Sequence, residues 1–120
     1  MKVSAQTYPP DDVATMELAT SRARTGATRG YPVESYQMLF EDELTFVGVW
    51  QCTPGRFPVT REESHSYMLI LSGRGRLIES DGSIHELVPG TVAIEANRWS
   101  GDWEIDETIR KFFVITKVSA

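Results

Sequence analysis

From Ser35 onward, apolar and polar residues follow the short alternating pattern of β-strands. Runs rich in β-branched and aromatic residues recur at close spacing, and each is bounded by Gly, Pro, Asp or Asn. We predict strands near residues 35–40, 44–52, 66–72, 75–80, 84–88, 91–95, 102–106 and 109–118. Seven or eight short strands with turns at this spacing are typical of a β-sandwich or a β-barrel. The pattern therefore predicts an all-β domain, and the mouth of a small barrel is a natural place for a ligand.

Two glycine-containing segments predict hairpin turns between these strands. Ser-Gly-Arg-Gly at residues 72–75 separates two apolar runs, and its glycines can take positive φ. Asp81-Gly82 lies between a run ending at Glu79 and one beginning at Ile84, which is a strong short-range hairpin signal.

The first 34 residues differ from the rest, because they contain prolines, glycines and little apolar periodicity. Asp11 or Asp12 is a candidate N-cap for a short helix running through Met16 and Leu18. An arm that packs across the domain or across a partner subunit fits the pattern equally well. With 120 residues, the chain is long enough for one core. We therefore divide it into an N-terminal arm (1–34) and a barrel (35–120).

Composition narrows the possible partners and compartment. A net charge of −5 argues against nucleic-acid binding, which requires a basic face. Arg22, Arg24 and Arg29 cluster near the N-terminus, either as a local basic patch or, as we favour, as a solvated arm. No apolar run approaches the ~18 residues of a membrane span, and the N-terminus lacks a signal-peptide core. We expect a soluble cytoplasmic protein without nucleic-acid or membrane partners. The single cysteine, Cys52, excludes an intramolecular disulfide and is expected to be a small strand residue rather than a catalytic thiol.

Several segments resemble a known family more specifically. They are GVWQCTPGRF at residues 48–57, ILSGR at 70–74, PGTVAIE at 89–95, GDWE at 101–104 and ETIRKFF at 107–113. They resemble the small single-domain cupins related to ethanolamine-utilisation and ureidoglycine-aminohydrolase cupin domains, over about residues 36–118. The resemblance implies a double-stranded β-helix, or jelly-roll barrel, preceded here by the arm. It also implies a homodimer and a pocket inside the barrel.

The chain departs from the metal-binding pattern of that family. Cupins commonly carry His-x-His and a downstream Glu, then a further His after a Pro-x-Gly turn, and these ligands suit a divalent metal. Alignment on Gly73 places Ser66 at the Glu position and the two histidine positions within residues 59–62. Alignment on Pro89-Gly90 places Gly101 at the last histidine. All four ligands are replaced, so we predict no metal and no other cofactor.

A substitute metal site could be built from His65, His85, Glu62, Glu63 or Glu79. His65 directly precedes Ser66, so strand alternation places it on the opposite face. His85 follows the Asp-Gly turn and is expected to face solvent. Two histidines on these faces do not provide the three or four converging ligands that a site needs.

Glu104 and Lys111 are the candidate catalytic pair. Their side chains share one pocket only if the registers of the two predicted strands agree. A carboxylate beside an ammonium inside a barrel would orient a small acid or form an acid–base couple. The alternative is a structural ion pair at the barrel rim.

Candidate ligand-binding residues are mainly aromatic: Trp50, Tyr67, Glu95, Trp99 and Trp103. The rings either line the pocket or belong to the core. Glu95 is either an inward carboxylate or an exposed strand end, and Trp99 either gates the pocket or packs against a second subunit. Arg56 and Arg61 flank the opposite loop as candidate anion binders or as ordinary surface charges.

These observations favour a small-molecule-binding cupin of unassigned reaction, with acid–base rather than metal chemistry if it is an enzyme. The expected ligands are carboxylates, amides or sugars, because the predicted pocket combines charge and aromatic surface. Two alternatives stay open. One is a metal-dependent aminohydrolase, isomerase or dioxygenase that uses His65 or His85, and the other is a non-catalytic sensing or dimerisation module.

Overall fold

Residues 3–118 are described by the computed structural model, and they confirm the all-β prediction. In chain order, the elements are α1 (Pro10–Thr15), β1 (Thr20–Ala23), β2 (Arg29–Gly30), β3 (Val33–Glu41), β4 (Thr45–Cys52), β5 (Gly55–Thr60), β6 (Ser64–Glu79), β7 (Ile84–Leu87), β8 (Val92–Glu95) and β9 (Ser100–Lys117). All strand pairs are antiparallel.

Two long strands, β6 and β9, organise the sheet. They pair with each other along nearly their whole lengths. The first half of β9 also pairs with β5, and its second half pairs with β4. The sheet curls because these strands bend in the middle, so that the two halves face each other as a half-barrel. Trp103 in the first half of β9 thereby meets Trp50 on β4, with ring centroids 5.5 Å apart.

Residues 72–75 form the bend of β6, and the predicted hairpin turn there is wrong. The strand continues through them and remains paired with β9, with register shifts on both sides of Ser72 and Arg74. Gly73 has a φ of +89° and passes against the backbone of Thr108. The glycines therefore permit a bulge and a bend, not a chain reversal. For the same reason, the two strands predicted on each side are one.

The hairpin predicted at Asp81-Gly82 is confirmed. It joins β6 to β7, with Leu77 opposite His85 and Ile78 opposite Ile84. The Asp81 side chain accepts a hydrogen bond from the Ser83 backbone at 2.9 Å. Gly82 takes the positive φ, +91°, that such a turn requires.

The N-terminal arm contributes two short strands to the sheet. Its β1 pairs with β3, and its β2 pairs with β5; neither short strand was predicted, nor was β5. The helix is shorter than expected: it begins at Pro10, has no side-chain cap and ends before Met16. Proline suits the first helical turn, so the helix starts before either aspartate can cap it.

The core lies between the two halves of the curled sheet. Its fully buried large side chains include Phe57, Ile70, Trp103, Ile105 and Ile109. The helix packs outside, where the Arg110 guanidinium donates hydrogen bonds to the carbonyl oxygens of Val13 and Met16, both at 3.0 Å. Across residues 3–118, α1 is too short to cross a membrane, and no longer apolar helix is present.

Candidate functional site

A cavity of about 320 Å³ lies inside the curl of the sheet. Inward-facing residues of β3, β4, β5, β6 and β9 line it, together with two arginines of the arm and Arg61 before β6. The lining residues are Arg22, Arg24, Glu34, Tyr36, Met38, Phe46, Trp50, Phe57, Val59, Arg61, Ser66, Trp103, Lys111, Phe113 and Ile115. This volume is at the lower end of the range for small-molecule sites, so it fits a small ligand.

Lys111 is the buried cation of this cavity. Its side chain is 6% exposed, and its Nζ lies 4.4 Å from the centroid of the Trp50 ring and 4.6 Å from that of Trp103. Within residues 3–118, it makes no hydrogen bond or salt bridge. Burial lowers the pKa of Lys111 to about 8, against the opposing influence of the Glu95 carboxylate.

Glu95 is fully buried beside the cavity, where it anchors two side chains. One carboxylate oxygen lies 2.7 Å from Nε and 2.6 Å from Nη2 of Arg61. The other accepts a hydrogen bond from the Trp103 indole at 2.8 Å. Ser66 lies directly opposite Glu95 on the paired strand, and its buried Oγ has no hydrogen-bond partner in the described part of the chain. An unpartnered buried hydroxyl on a cavity wall is a polar group available to a ligand.

Glu34 on β3 forms a second anchor in the wall of the cavity. It accepts hydrogen bonds from the Trp50 indole at 2.9 Å, from Arg22 at 3.1 Å and from Arg24 at 3.3 Å. Burial raises the pKa of Glu34. The Trp50 hydrogen bond and the two guanidinium groups lower it by more, so the net shift of the pKa is downward. The carboxylate therefore stays ionised and holds both arginines at the cavity wall.

Positive charge predominates at the cavity although the whole chain carries −5. Four cationic side chains line it, against the single carboxylate of Glu34. Each anchored guanidinium retains N–H groups that its carboxylate does not use, since Arg24 binds through Nη1 and Arg61 through Nε and Nη2. The arrangement suits an anion, with indole rings beside its apolar part.

Glu104 does not meet Lys111, which corrects the expected pairing. The two residues lie on one continuous strand, seven positions apart, so they face opposite sides of the sheet. Glu104 instead accepts a hydrogen bond from Arg76 at 2.6 Å and lies 3.5 Å from Arg29. It therefore belongs to an ion-pair network on the outer surface.

Two of the predicted aromatic residues also lie outside the cavity. Tyr67 is on the outward face of β6, next to His65, and is 39% exposed. Trp99 packs near the β6–β7 hairpin, and its indole donates to Glu79 at 2.9 Å. Trp50 and Trp103 line the cavity. Of the two placements expected for Glu95, the structure has the inward one.

Both histidines lie away from the cavity. His65 accepts a hydrogen bond from the Asn97 backbone at 2.9 Å, and His85 is exposed, 3.3 Å from Glu79. No group of three or more His, Cys, Asp or Glu residues that could hold a metal occurs within residues 3–118. Arg61 and Ser66, which fall on or among the positions that the cupin alignment assigns to metal ligands, do line the cavity.

The sequence pattern missed the contribution of the arm. Arg22, Arg24 and Glu34 were not predicted as site residues, and the two arginines were interpreted as a solvated cluster. The signal that could have revealed them is the alternation Arg22-x-Arg24, which places both side chains on one face of a strand. β1 pairs with β3, and Arg22 lies directly opposite Glu34.

A curled all-β sheet with a pocket inside is typical of the cupin class. The family model of the EutQ-like cupin domain matches residues 41–113, so the chain belongs to that family. None of the curated proteins matches it in sequence.

Many solved structures match this fold, and the following three share 10–24% of its sequence. A Pseudomonas syringae pv. tomato protein of the DUF861 family matches with a TM-score of 0.70 and 24% identity, over 83% of this chain and 43% of that one. Clostridium difficile EutQ gives a TM-score of 0.64 and 14% identity, over 74% of this chain and 71% of that one. The ectoine synthase of P. lautus gives a TM-score of 0.65 and 10% identity, over 70% of this chain and 64% of that one. At these identities, the comparisons show a shared fold.

Proposed function

We propose that this cupin binds a small organic anion, of the carboxylate class, in the cavity inside the sheet. The observation that carries the proposal is the environment of Lys111. A buried ammonium normally has a carboxylate partner, yet Lys111 forms no salt bridge within the described residues, and two indole rings lie against its Nζ. A carboxylate in the cavity would supply the missing counter-ion.

The surrounding groups support the same ligand class. Unused N–H groups of Arg24 and Arg61 are donors for further anionic oxygens, and Ser66 offers a neutral hydroxyl. Trp50 and Trp103 would pack against a short apolar or planar segment. Amides and sugars, which the sequence also suggested, would leave the ammonium without a counter-ion, so they fit less well.

The test compares a carboxylate with its uncharged isostere. We expect propionate or a similar short acid to raise the melting temperature and to give a calorimetric binding signal, whereas propionamide gives neither. Lys111→Met should weaken carboxylate binding by about tenfold or more, because a charge-assisted contact to a buried group is lost. Lys117→Met is the matched control, since Lys117 is an exposed lysine outside this cavity. Equal binding by both variants would refute the proposal.

The two alternatives are distinguished by further measurements. A metal-dependent enzyme is not favoured by any cluster within residues 3–118, but stoichiometric metal in protein purified without chelators would support it. A sensing module would bind the carboxylate without converting it. We also propose that the protein is a homodimer. Measuring its mass in solution tests this.

A further inference from the structure

The amine of Lys111 is placed for covalent chemistry as well as for ion pairing. It is buried, faces a cavity large enough for a small molecule, and has no carboxylate partner within residues 3–118. A lysine becomes a nucleophile when its neutral form is populated, and a desolvated lysine next to other cations meets that condition. These are the conditions of lysines that react with carbonyl compounds.

The charges around Lys111 come from four different parts of the fold. Glu95 on β8 and Glu34 on β3 favour the ammonium form, whereas Arg61 before β6 and Arg24 after β1 favour the neutral amine. Burial is the largest influence, and the resulting pKa is about 8. Near pH 8, about half of the Lys111 side chains are therefore neutral. For an ordinary lysine, the neutral fraction at this pH is below about 1%.

We propose that Lys111 forms an imine with the carbonyl carbon of a small 2-oxo acid bound in the cavity. The inference rests on the proposed anion binding, because a guanidinium of Arg61 or Arg24 would hold the carboxylate while the adjacent carbonyl meets the amine. A 2-oxo acid is the smallest ligand that satisfies both kinds of group.

The step balances without an oxidant or a reductant. The lone pair of Nζ attacks the carbonyl carbon, and the carbonyl π electrons move to oxygen, which takes up a proton. The carbinolamine nitrogen loses a proton, and the oxygen then leaves as water after a second protonation. The product is an iminium cation at the position of the former ammonium. Because the positive charge is retained, the attraction to the faces of Trp50 and Trp103 is retained as well.

Reductive trapping tests the inference. The protein is incubated with pyruvate and cyanoborohydride near pH 8, and the carboxyethyl adduct is located by peptide mass spectrometry. We expect labelling of Lys111 at about ten times the rate of Lys117, because the lower pKa supplies more neutral amine while the enclosed position slows access. Propionate, which has the carboxylate without the carbonyl, should slow labelling of Lys111 and leave Lys117 unchanged. Labelling of Lys111 no faster than Lys117 would overturn the inference.

Lys111→Arg separates the two proposals. Arginine keeps a cation for the carboxylate but cannot form an imine, so this variant should bind propionate and give no adduct at residue 111. If wild type binds propionate without trapping pyruvate at Lys111, the imine is refuted and anion binding stands. If wild type binds neither propionate nor pyruvate, the proposed function itself fails.

Discussion

Lys111 lies directly opposite Trp50 on the paired strands β9 and β4, and its Nζ is 4.4 Å from the centroid of the indole ring. The Trp103 ring approaches the same Nζ from β9 itself, at 4.6 Å. Cation–π contacts of this kind stabilise a desolvated ammonium by about 2 kcal/mol, which is less than the cost of burying it without a counter-ion. The site therefore holds Lys111 at a cost in stability.

Replacing Lys111 by methionine should stabilise the protein. The pKa of Lys111 is about 8 in the folded protein, below its ordinary value of 10.5, so the unfolded chain binds more protons between these values. The free energy of unfolding of wild type therefore rises with pH across this window. We expect Lys111→Met to gain about 1–3 kcal/mol near neutral pH, after the lost cation–π contacts are deducted. Urea denaturation near neutral pH and near pH 10 should show that the gain shrinks at the higher pH; a constant gain would contradict the assignment.

Carboxylate binding should depend on the charge of the same residue. The ammonium form binds the anion, so affinity should be constant below the Lys111 pKa of about 8 and fall above it. The expected decrease is about tenfold for each pH unit, as for the loss of one proton. Calorimetry with propionate across this range measures it. In Lys111→Arg, whose guanidinium stays charged, affinity should not change with pH, and a parallel decrease would point to another group.

Loss of the Glu95 carboxylate should destabilise the fold and loosen the cavity. Glu95 is fully buried, and both of its oxygens are used, one by Arg61 and one by the Trp103 indole. Glu95→Gln should lower the free energy of unfolding by about 3 kcal/mol, because it leaves a half-buried guanidinium without its counter-ion. Glu62→Gln is the matched control, since Glu62 is exposed and makes no ion pair among residues 3–118. Equal effects of the two substitutions would show that the ion pair adds little.

The strands and the family resemblance were readable from the sequence, because β-branched runs and turn residues report local structure. The bend in β6 was not. A Ser-Gly-Arg-Gly segment fits both a reversal and a bulge, and only pairing with β9 on both sides of Gly73 decides between them. The short strands β1 and β2 were missed for a related reason, since they form only by pairing with distant segments.

The candidate site was predicted in part. Lys111, Trp50, Trp103 and Glu95 lie at the cavity, because each faces inward on its strand. Glu104 was misplaced because two predicted strands are one strand in the structure. Along a single strand, residues seven positions apart face opposite sides of the sheet, so Glu104 points away from Lys111. The alternation of Arg22 and Arg24 indicates a shared strand face, but a single sequence does not show that this strand pairs with β3 beside the cavity.

Cys52 should be unreactive in the folded protein. Its side chain is fully buried, and desolvation, with the nearby Glu34 carboxylate, raises the pKa of the thiol to about 12. The thiolate that reacts with disulfide reagents is therefore scarce near neutral pH. We expect no modification by a small aromatic disulfide in native buffer and one thiol released in denaturant. Rapid native modification would show that this part of the core opens readily.

Gly73 should be intolerant of any side chain, because two separate obstacles coincide there. Its φ of +89° is a conformation that costs residues with a Cβ about 1–2 kcal/mol. A Cβ would also overlap the carbonyl oxygen of Thr108 and lie 2.7 Å from the Cα atom of Ile109. These are backbone atoms of β9, which pairing with β4 holds in place at Ile109.

The matched control for Gly73→Ala is Gly82→Ala. Gly82 has nearly the same φ, +91°, but a Cβ there would meet nothing within 4 Å. Gly82→Ala should therefore cost only the backbone strain, about 1 kcal/mol, whereas Gly73→Ala should cost about 3 kcal/mol or more because rigid backbone must move. Urea denaturation of both variants measures the difference, and carboxylate binding by whatever Gly73→Ala protein folds would report whether the bend shapes the cavity. Equal losses of stability would mean that β6 and β9 separate at Gly73 without cost, which is incompatible with the continuous pairing that curls the sheet.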